Sequence, residues 1–408
     1  MGSIVTYHLK QETPMWHFQY REKAQQNGAT LRGSDVKPRF DKFLINQMKA
    51  EGINWEDFKI SADHDALNYK IRIVAKGNPV TNNNMGENAF FANMGKNIDK
   101  ELAVFYKEGI DVKITCFIPA LMTQIDKHIQ AFFIIHNFGT RQDKGFGSFT
   151  VENTDNPCDV ESVLLNYSHL EHYIAYKIDA SKCTDSKVLD NAYVLYQWMK
   201  SGINFGSTYK KSLLTQYMLG KNIGGEKRWM KEKGIAPKVR KASKKEIVDD
   251  DRVPEGKITD YRYIRAVMGV SGIQSWVTST LKRDKDGNRC TDKKGNPIYK
   301  KVEIAVSSKE IERFQSPITI KVIDNKVYFL AYDLNTASRK SLLGKEFTFS
   351  NDAFKKNGPI NVIENFDMED FMEHCEKIVN KDSFTMYRNQ NQYEYLYTMN
   401  KITAGGNN

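Results

Sequence analysis

Gly139-Thr140-Arg141-Gln142-Asp143-Lys144-Gly145-Phe146-Gly147-Ser148-Phe149 is the stretch around which the rest of the sequence arranges itself. Glycines let a backbone come close to a phosphate and turn N–H groups toward it, while Arg141 and Lys144 add charge where a sugar-phosphate chain would run. No Gly-Lys-Ser/Thr follows at the spacing of a nucleoside-triphosphate loop, and the segment leads into a strand instead of opening a helix. The plain alternative is a tight turn between a helix and a strand.

Working outward toward the N-terminus, Leu121, Ile125, Ile129, Phe132, Phe133 and His136 recur at three and four residues and predict a helix with one buried stripe, which Gly139 closes. Before it, Val112, Ile114, Cys116 and Ile118 alternate as a strand that stops at Pro119. Tyr69, Ile71 and Ile73 alternate likewise. Val36, Phe40, Phe43, Leu44 and Met48 sit at helical spacing behind Ser34 or Asp35 as cap, with Pro38 in the first turn. Ile4 to Leu9 reads as a first strand ended by Thr13-Pro14, and Phe146 to Val151 as a last one. Strand, helix, strand, strand, helix, strand is the order of a ferredoxin-like (RRM-type) split βαβ unit, with helices on one sheet face. The Asn/Gly-rich stretch from Gly77 to Asn97 is an exposed insertion.

Toward the C-terminus the pattern turns helical from Val160, most clearly over Val188 to Lys200, and then lysine-rich. Ile318, Ile320 and Val322 alternate, Asp324-Asn325 makes a turn, and Val327, Phe329 and Ala331 return, which predicts a hairpin. Phe371, Cys375 and Ile378 mark an amphipathic helix from Phe366 to Val379. Asp249 to Asp251, and Asp284 to Pro297 with Gly287 and Gly295, read as mobile connections. The fold class is therefore α+β. A ferredoxin-like domain with the glycine-rich loop covers 1–155, a helical and lysine-rich insertion 156–301, and an αβ region completing a second, divergent ferredoxin-like domain 302–408.

Composition sets the bounds. A chain of 408 residues suggests two or three domains, and 40% hydrophobic with 27% charged residues describes a folded protein. No apolar run approaches the roughly 20 residues that cross a bilayer, and no secretory signal opens the chain, so a cytoplasmic location is expected. Met1 to Thr6 fits the degenerate myristoylation pattern, but its alternation also fits the first strand. Cys116, Cys158, Cys183, Cys290 and Cys375 form no CxxC pair, and no metal or cofactor is called for. Asp249 to Asp251 is a run of neighbours, not a converging carboxylate set for a metal-dependent nuclease.

The net charge of +10 is concentrated: Lys221 to Lys301 holds 22 Lys and Arg against 11 Asp and Glu, while the remainder is nearly neutral. Such a segment is a footprint for a polyanion or else a solvated loop. Arg228 and Lys233 within it are candidate phosphate contacts. Trp229, Tyr261, Tyr263 and Trp276 could stack on bases, although most are expected in the core. A second cationic cluster, Arg32, Ser34, Lys37 and Arg39 around Gly33, lies at a helix start, where free amides favour an anion unless Asp35 caps them.

These segments resemble the RAMP (repeat-associated mysterious protein) superfamily of CRISPR-associated proteins. Gly139 to Phe149 is similar to that family's glycine-rich loop before its last strand. Thr13-Pro14 with Leu31-Arg32-Gly33-Ser34-Asp35-Val36-Lys37 resembles its start, and Arg313-Phe314-Gln315-Ser316-Pro317-Ile318 its late strand. With the helical middle holding Trp198 to Gly206, the order is most similar to the first subunit of the Cmr (type III-B) effector complex. Pro38 and the asparagine-rich insertion depart from the pattern.

The resemblance implies a non-catalytic subunit that grips guide RNA, or the guide-target duplex near the target's 3′ end, and docks on neighbouring subunits in antiviral defence. Arg141, Lys144, Gly145 and Gly147 would hold RNA, with Arg32, Ser34, Lys37 and Arg39 beside them. Two other readings stand against it. Some RAMP proteins are metal-independent endoribonucleases that process guide precursors with a histidine, for which His17 is the candidate, then His8 and His136. A protein-only assembly module would leave its lysines solvated.

Overall fold

The computed structural model describes residues 3–16, 30–81, 104–152, 158–179, 188–205, 208–236, 246–247, 258–291, 295, 297–337, 339–381 and 397–404. They divide into two compact units: Met1–Val194 with Ile318–Tyr332 and Tyr395–Asn408, and Leu195–Pro317 with Asp333–Glu394.

Strand β1 (Ser3–Gln11) turns Tyr7 and Leu9 inward. Helix α1 (Gly33–Ala50) buries Val36, Phe40, Phe43, Leu44 and Met48, the residues whose spacing predicts it. Its N-cap is Arg32 and no side chain caps it, so Ser34 stays exposed and Asp35 lies in the first turn, where its charge suits the helix dipole. Pro38 falls beyond the first turn, on an exposed face, where the lost N–H leaves only the carbonyl of exposed Ser34 without its helical partner.

Strands β2 (Tyr69–Ala75) and β3 (Ile110–Cys116) follow, then helix α2 (Pro119–Ile135), with Pro119 at its first position, and strand β4 (Phe149–Val151). The sheet order is β2-β3-β1-β4 with every neighbour antiparallel, so the two crossovers leave each parallel pair split by a third strand. Both helices cover one face, where the Phe40 and Phe132 rings lie 4.7 Å apart. Two boundaries differ from expectation. Helix α2 ends at Ile135 with His136 as an extended C-cap, so Gly139 lies past the cap, and β4 begins three residues later than Phe146. Of the expected insertion, Gly77–Thr81 is described and the remainder lies outside the described residues.

Helix α3 (Val160–Glu171) starts at Asp159, whose carboxylate accepts the Ser162 N–H, and leads into strand β5 (Tyr173–Asp179) and helix α4 (Val188–Ser201). The second unit contributes α5 (Leu213–Gly220), α6 (Glu226–Glu232), β6 (Ile273–Leu281) and β7 (Tyr299–Ser307). The chain then supplies β8 (Ile318–Ile323) and β9 (Lys326–Tyr332) to the first unit and β10 (Glu346–Asn351), β11 (Lys356–Asn361) and α7 (Met368–Lys381) to the second. Strand β12 (Thr398–Lys401) closes the first unit.

The second sheet of the first unit has the order β8-β9-β5-β12, again antiparallel throughout. Taken along the chain as β5, α4, β8, β9, α7, β12, it repeats the element order and the strand order of the first sheet. The β8-β9 hairpin turns at Asp324 and Asn325 with φ of 48° and 61°, the left-handed pair that tight hairpins need and that Asp and Asn tolerate. Strand β5 lies inside the stretch read as helical. Tyr173, Ala175, Tyr176 and Ile178 are all buried, which blurs the alternation that would have revealed it. One apolar cluster runs from β1 and α1 through α2 and α3 to Tyr173, Ile323, Tyr328 and Leu330, so both sheets share a core. In the second unit the sheet order is β6-β7-β10-β11. Among the described residues no helix is long and apolar enough to cross a membrane.

Candidate nucleic-acid interface

The glycine-rich segment splits into a sealed half and a rim. Phe146, Phe149 and Ser148 are fully buried. Gly145 and Gly147 are buried as well, with φ of 87° and 67°. A Cβ on Gly147 would lie 1.9 Å from the Phe138 carbonyl oxygen, and one on Gly145 would meet Leu189 at 2.6 Å. Their N–H groups donate to the Pro14 carbonyl at 2.9 Å and the Gln142 carbonyl at 3.4 Å. These two glycines therefore build the bend, and their amides face protein carbonyls where a phosphate had been expected.

Thr13-Pro14 explains itself in the same geometry. The Thr13 hydroxyl donates to the Gly145 carbonyl at 2.7 Å and accepts the Ser148 N–H at 2.9 Å, next to the Pro14 carbonyl that holds Gly147. On the other side the segment docks on β8: Ile320 N–H donates to the Asp143 carbonyl at 3.0 Å, and Ser148 Oγ donates to the Val322 carbonyl at 2.7 Å. Asn137 Nδ2 donates to the carbonyls of Gln142 and Ile320 at 2.7 and 2.8 Å. The bend is thus the seam between the two sheets.

Beneath it, Lys321 is fully buried and its Nζ donates to the carbonyls of Phe133 and His136 at 2.7 and 2.9 Å, satisfying groups left open where α2 ends. Burial holds its pKa well below the ordinary lysine value. His136 stacks near Phe132 and hydrogen-bonds the Phe132 carbonyl through Nδ1 at 3.0 Å. Desolvation, with Arg39 nearby, lowers its pKa to about 3, so it stays neutral at physiological pH and makes a poor proton donor.

The rim runs from Thr140 to Lys144, all partly exposed. Arg141 holds a left-handed φ of 62° without being glycine and places its guanidinium 5.9 Å from the centre of the Trp16 ring. Partial burial lowers its pKa, but an arginine stays charged. Lys144 lies 3.0 Å from the Asp143 carboxylate.

The cations of α1 divide similarly. Arg39 donates to the Asn137 carbonyl at 2.8 Å and to Gln142 Oε1 at 2.9 Å, tying α1 to the loop. Lys37 bonds Asp41 at 2.7 Å and the Leu67 carbonyl at 3.0 Å and sits over the Tyr69 ring. Ser34 is exposed and Arg32 partly so. Of the remaining candidates, His17 lies outside the described residues, and His8 pairs with Asp111 at 2.8 Å.

In the second unit Arg228 pairs with Glu232 at 3.0 Å, whereas Lys233, the C-cap of α6, is exposed. Trp229 and Tyr263 are core residues against Phe349, and Tyr261 and Trp276 are partly exposed, with Lys231 over the Trp276 ring at 5.8 Å.

Two split βαβ sheets of one strand order, with a glycine bend just ahead of the strand that closes the first, define a protein of the RAMP type. Residues 2–203 match the Cmr1 N-terminal domain and residues 209–401 the Cmr1 C-terminal domain. The chain belongs to the Cmr1 family, the first subunits of Cmr (type III-B) effector complexes of CRISPR defence. It is also similar to the crystal structure of Cmr1 from Pyrococcus furiosus in the apo form, at 11% identity over 99% of each chain and a TM-score of 0.40. No curated protein matches it.

Proposed function

We propose that this subunit grips guide RNA, or the guide-target duplex, along the rim of the glycine bend while docking on neighbouring subunits of the complex. Arg141 carries this reading. A non-glycine residue in the left-handed region costs roughly 1 kcal/mol relative to glycine. The sequence supplies glycine at 139, 145 and 147 yet keeps an arginine at the apex, where a guanidinium can pair with phosphate in two-pronged fashion. Lys144 adds a second charge on the same rim, and Arg32 and Ser34 stand at the start of the helix that Arg39 ties to it.

The glycines act one step removed, by fixing the rim. Binding measured with labelled RNA across a salt series should weaken as salt rises, and Arg141→Ala/Lys144→Ala should lower the affinity and flatten the log-log slope by about 1 to 2. Wild-type affinity and slope in that double variant would take the rim out of the site.

A further inference from the structure

The lysine-rich window takes a definite form that the rim does not use. Strands β6 and β7 pair over most of their length, from Ile273↔Ala305 to Leu281↔Tyr299, but only Ala305, Val306 and Ser307 of β7 reach β10. Beyond Ile304, which is buried, the pair runs on as a two-stranded ribbon with no third strand among the described residues. Its tip is not loose. The Cys290 N–H donates to the Lys282 carbonyl at 2.9 Å, the Ile298 N–H donates to the Cys290 carbonyl at 2.9 Å, and the Lys282 N–H donates to the Ile298 carbonyl at 2.7 Å. Gly287 and Gly295 supply the left-handed corners, with φ of 84° and 79°. Main-chain bonds, not a core, hold this ribbon, and every residue from Lys282 to Arg289 is exposed.

Its charge is one-sided. Among the described residues between Lys282 and Lys301 stand six cations, Lys282, Arg283, Lys285, Arg289, Lys300 and Lys301, against Asp284 and Asp286. The Asp284 carboxylate is occupied by the amides of Asp286 and Asn288 at 3.0 and 2.8 Å, so it serves the turn and not a lysine. Arg283 and Arg289 are bridge partners across the near turn of the tip, where the Arg283 guanidinium also donates to the Gly287 carbonyl at 2.6 Å. Like charges placed opposite each other destabilise a strand pair, so the arrangement disfavours the ribbon in isolation and favours it beside a dense row of negative charge.

We propose that the β6-β7 ribbon is a second nucleic-acid contact, distinct from the rim, and that its partner is the phosphate backbone of an RNA duplex. The preference for duplex over single strand follows from what the tip lacks: between Lys282 and Ile298 there is no aromatic residue. Sites for unpaired strands combine charge with rings on which bases stack, whereas a duplex has its bases stacked already and offers phosphates and hydroxyls on its outer surface. A tip rich in cations and polar groups, with Trp276 and Tyr299 set back in the paired strands below it, suits the latter and reads no sequence.

This assignment rests on the RNA-binding reading, and the test keeps the two apart. The full chain would be titrated with a labelled RNA duplex and with one of its strands, each across a salt series, using wild type, Arg283→Ala/Lys285→Ala/Arg289→Ala, and the charge-preserving Arg283→Lys/Arg289→Lys. The triple variant should bind duplex roughly tenfold more weakly with a salt slope lower by about 2 to 3, bind the single strand as wild type does, and melt at the wild-type temperature. The lysine variant should keep duplex binding. Undiminished duplex affinity in the triple variant would overturn the ribbon's role, leave the rim untouched and point to an acidic protein neighbour instead. Failure of wild type to bind either RNA would remove both.

Discussion

The bend at the seam of the first unit and the ribbon of the second are both glycine-containing, cation-bearing hairpin-like segments, and they use their charges in opposite ways. At the bend most polar groups face inward: Arg39 holds Asn137 and Gln142, Lys321 closes the end of α2, and the amides of Gly145 and Gly147 meet carbonyl oxygens. On the ribbon the turns are satisfied by main chain, one aspartate and the Arg283 guanidinium on the Gly287 carbonyl, and the tip's cations are all exposed. A cation in a recognisable motif can thus be a structural tie, and a cation in a run that looks like a loop can be the one left available to a ligand. Burial and hydrogen-bond partners decide between them, not the motif.

That contrast can be broken most forcefully at Gly147. Gly147→Ala forces a side chain onto the Phe138 carbonyl in a left-handed residue, and denaturant unfolding should show a loss of at least about 3 kcal/mol or failure to fold. A wild-type midpoint would mean that the bend can open and that its amides are free to face a ligand after all.

Arg39→Ala removes two charge-assisted bonds from a mostly buried guanidinium and should cost about 1 to 3 kcal/mol of stability in the same measurement. A stability change near zero, accompanied by loss of RNA affinity, would move Arg39 from the tie to the rim. Arg289→Ser on the ribbon sets the lower end of the scale. Stability should stay within about 0.5 kcal/mol of wild type, because Arg289 is exposed and a like-charge pairing is relieved.

The legible part of this protein was the part with one wet face. Helix α1, with its stripe from Val36 to Met48, and the hairpin turning at Asp324-Asn325 stand where periodicity and turn chemistry put them. Strand β5 was hidden because it is covered on both sides, and the ribbon because Asp284 to Pro297, rich in polar and turn residues, reads as a connection whether or not backbone bonds tie it. The bend was located by its glycines, but its direction was not. Spacing shows that a backbone can approach something closely and does not say whether that something is a phosphate or Phe138.

The segmented build of the first unit has a consequence for how the protein is made. All four strands of its first sheet have been synthesised by Val151, so that layer can assemble while the rest of the chain is still being made. Strand β5 emerges soon after, yet its two flanking partners, β9 and β12, arrive only with Tyr332 and Lys401. While the chain grows from Asp179 to Tyr332 that central strand has both of its hydrogen-bonding edges uncovered, and one of them stays so until Lys401, the condition under which nascent chains are most exposed to wrong pairings and most in need of a chaperone.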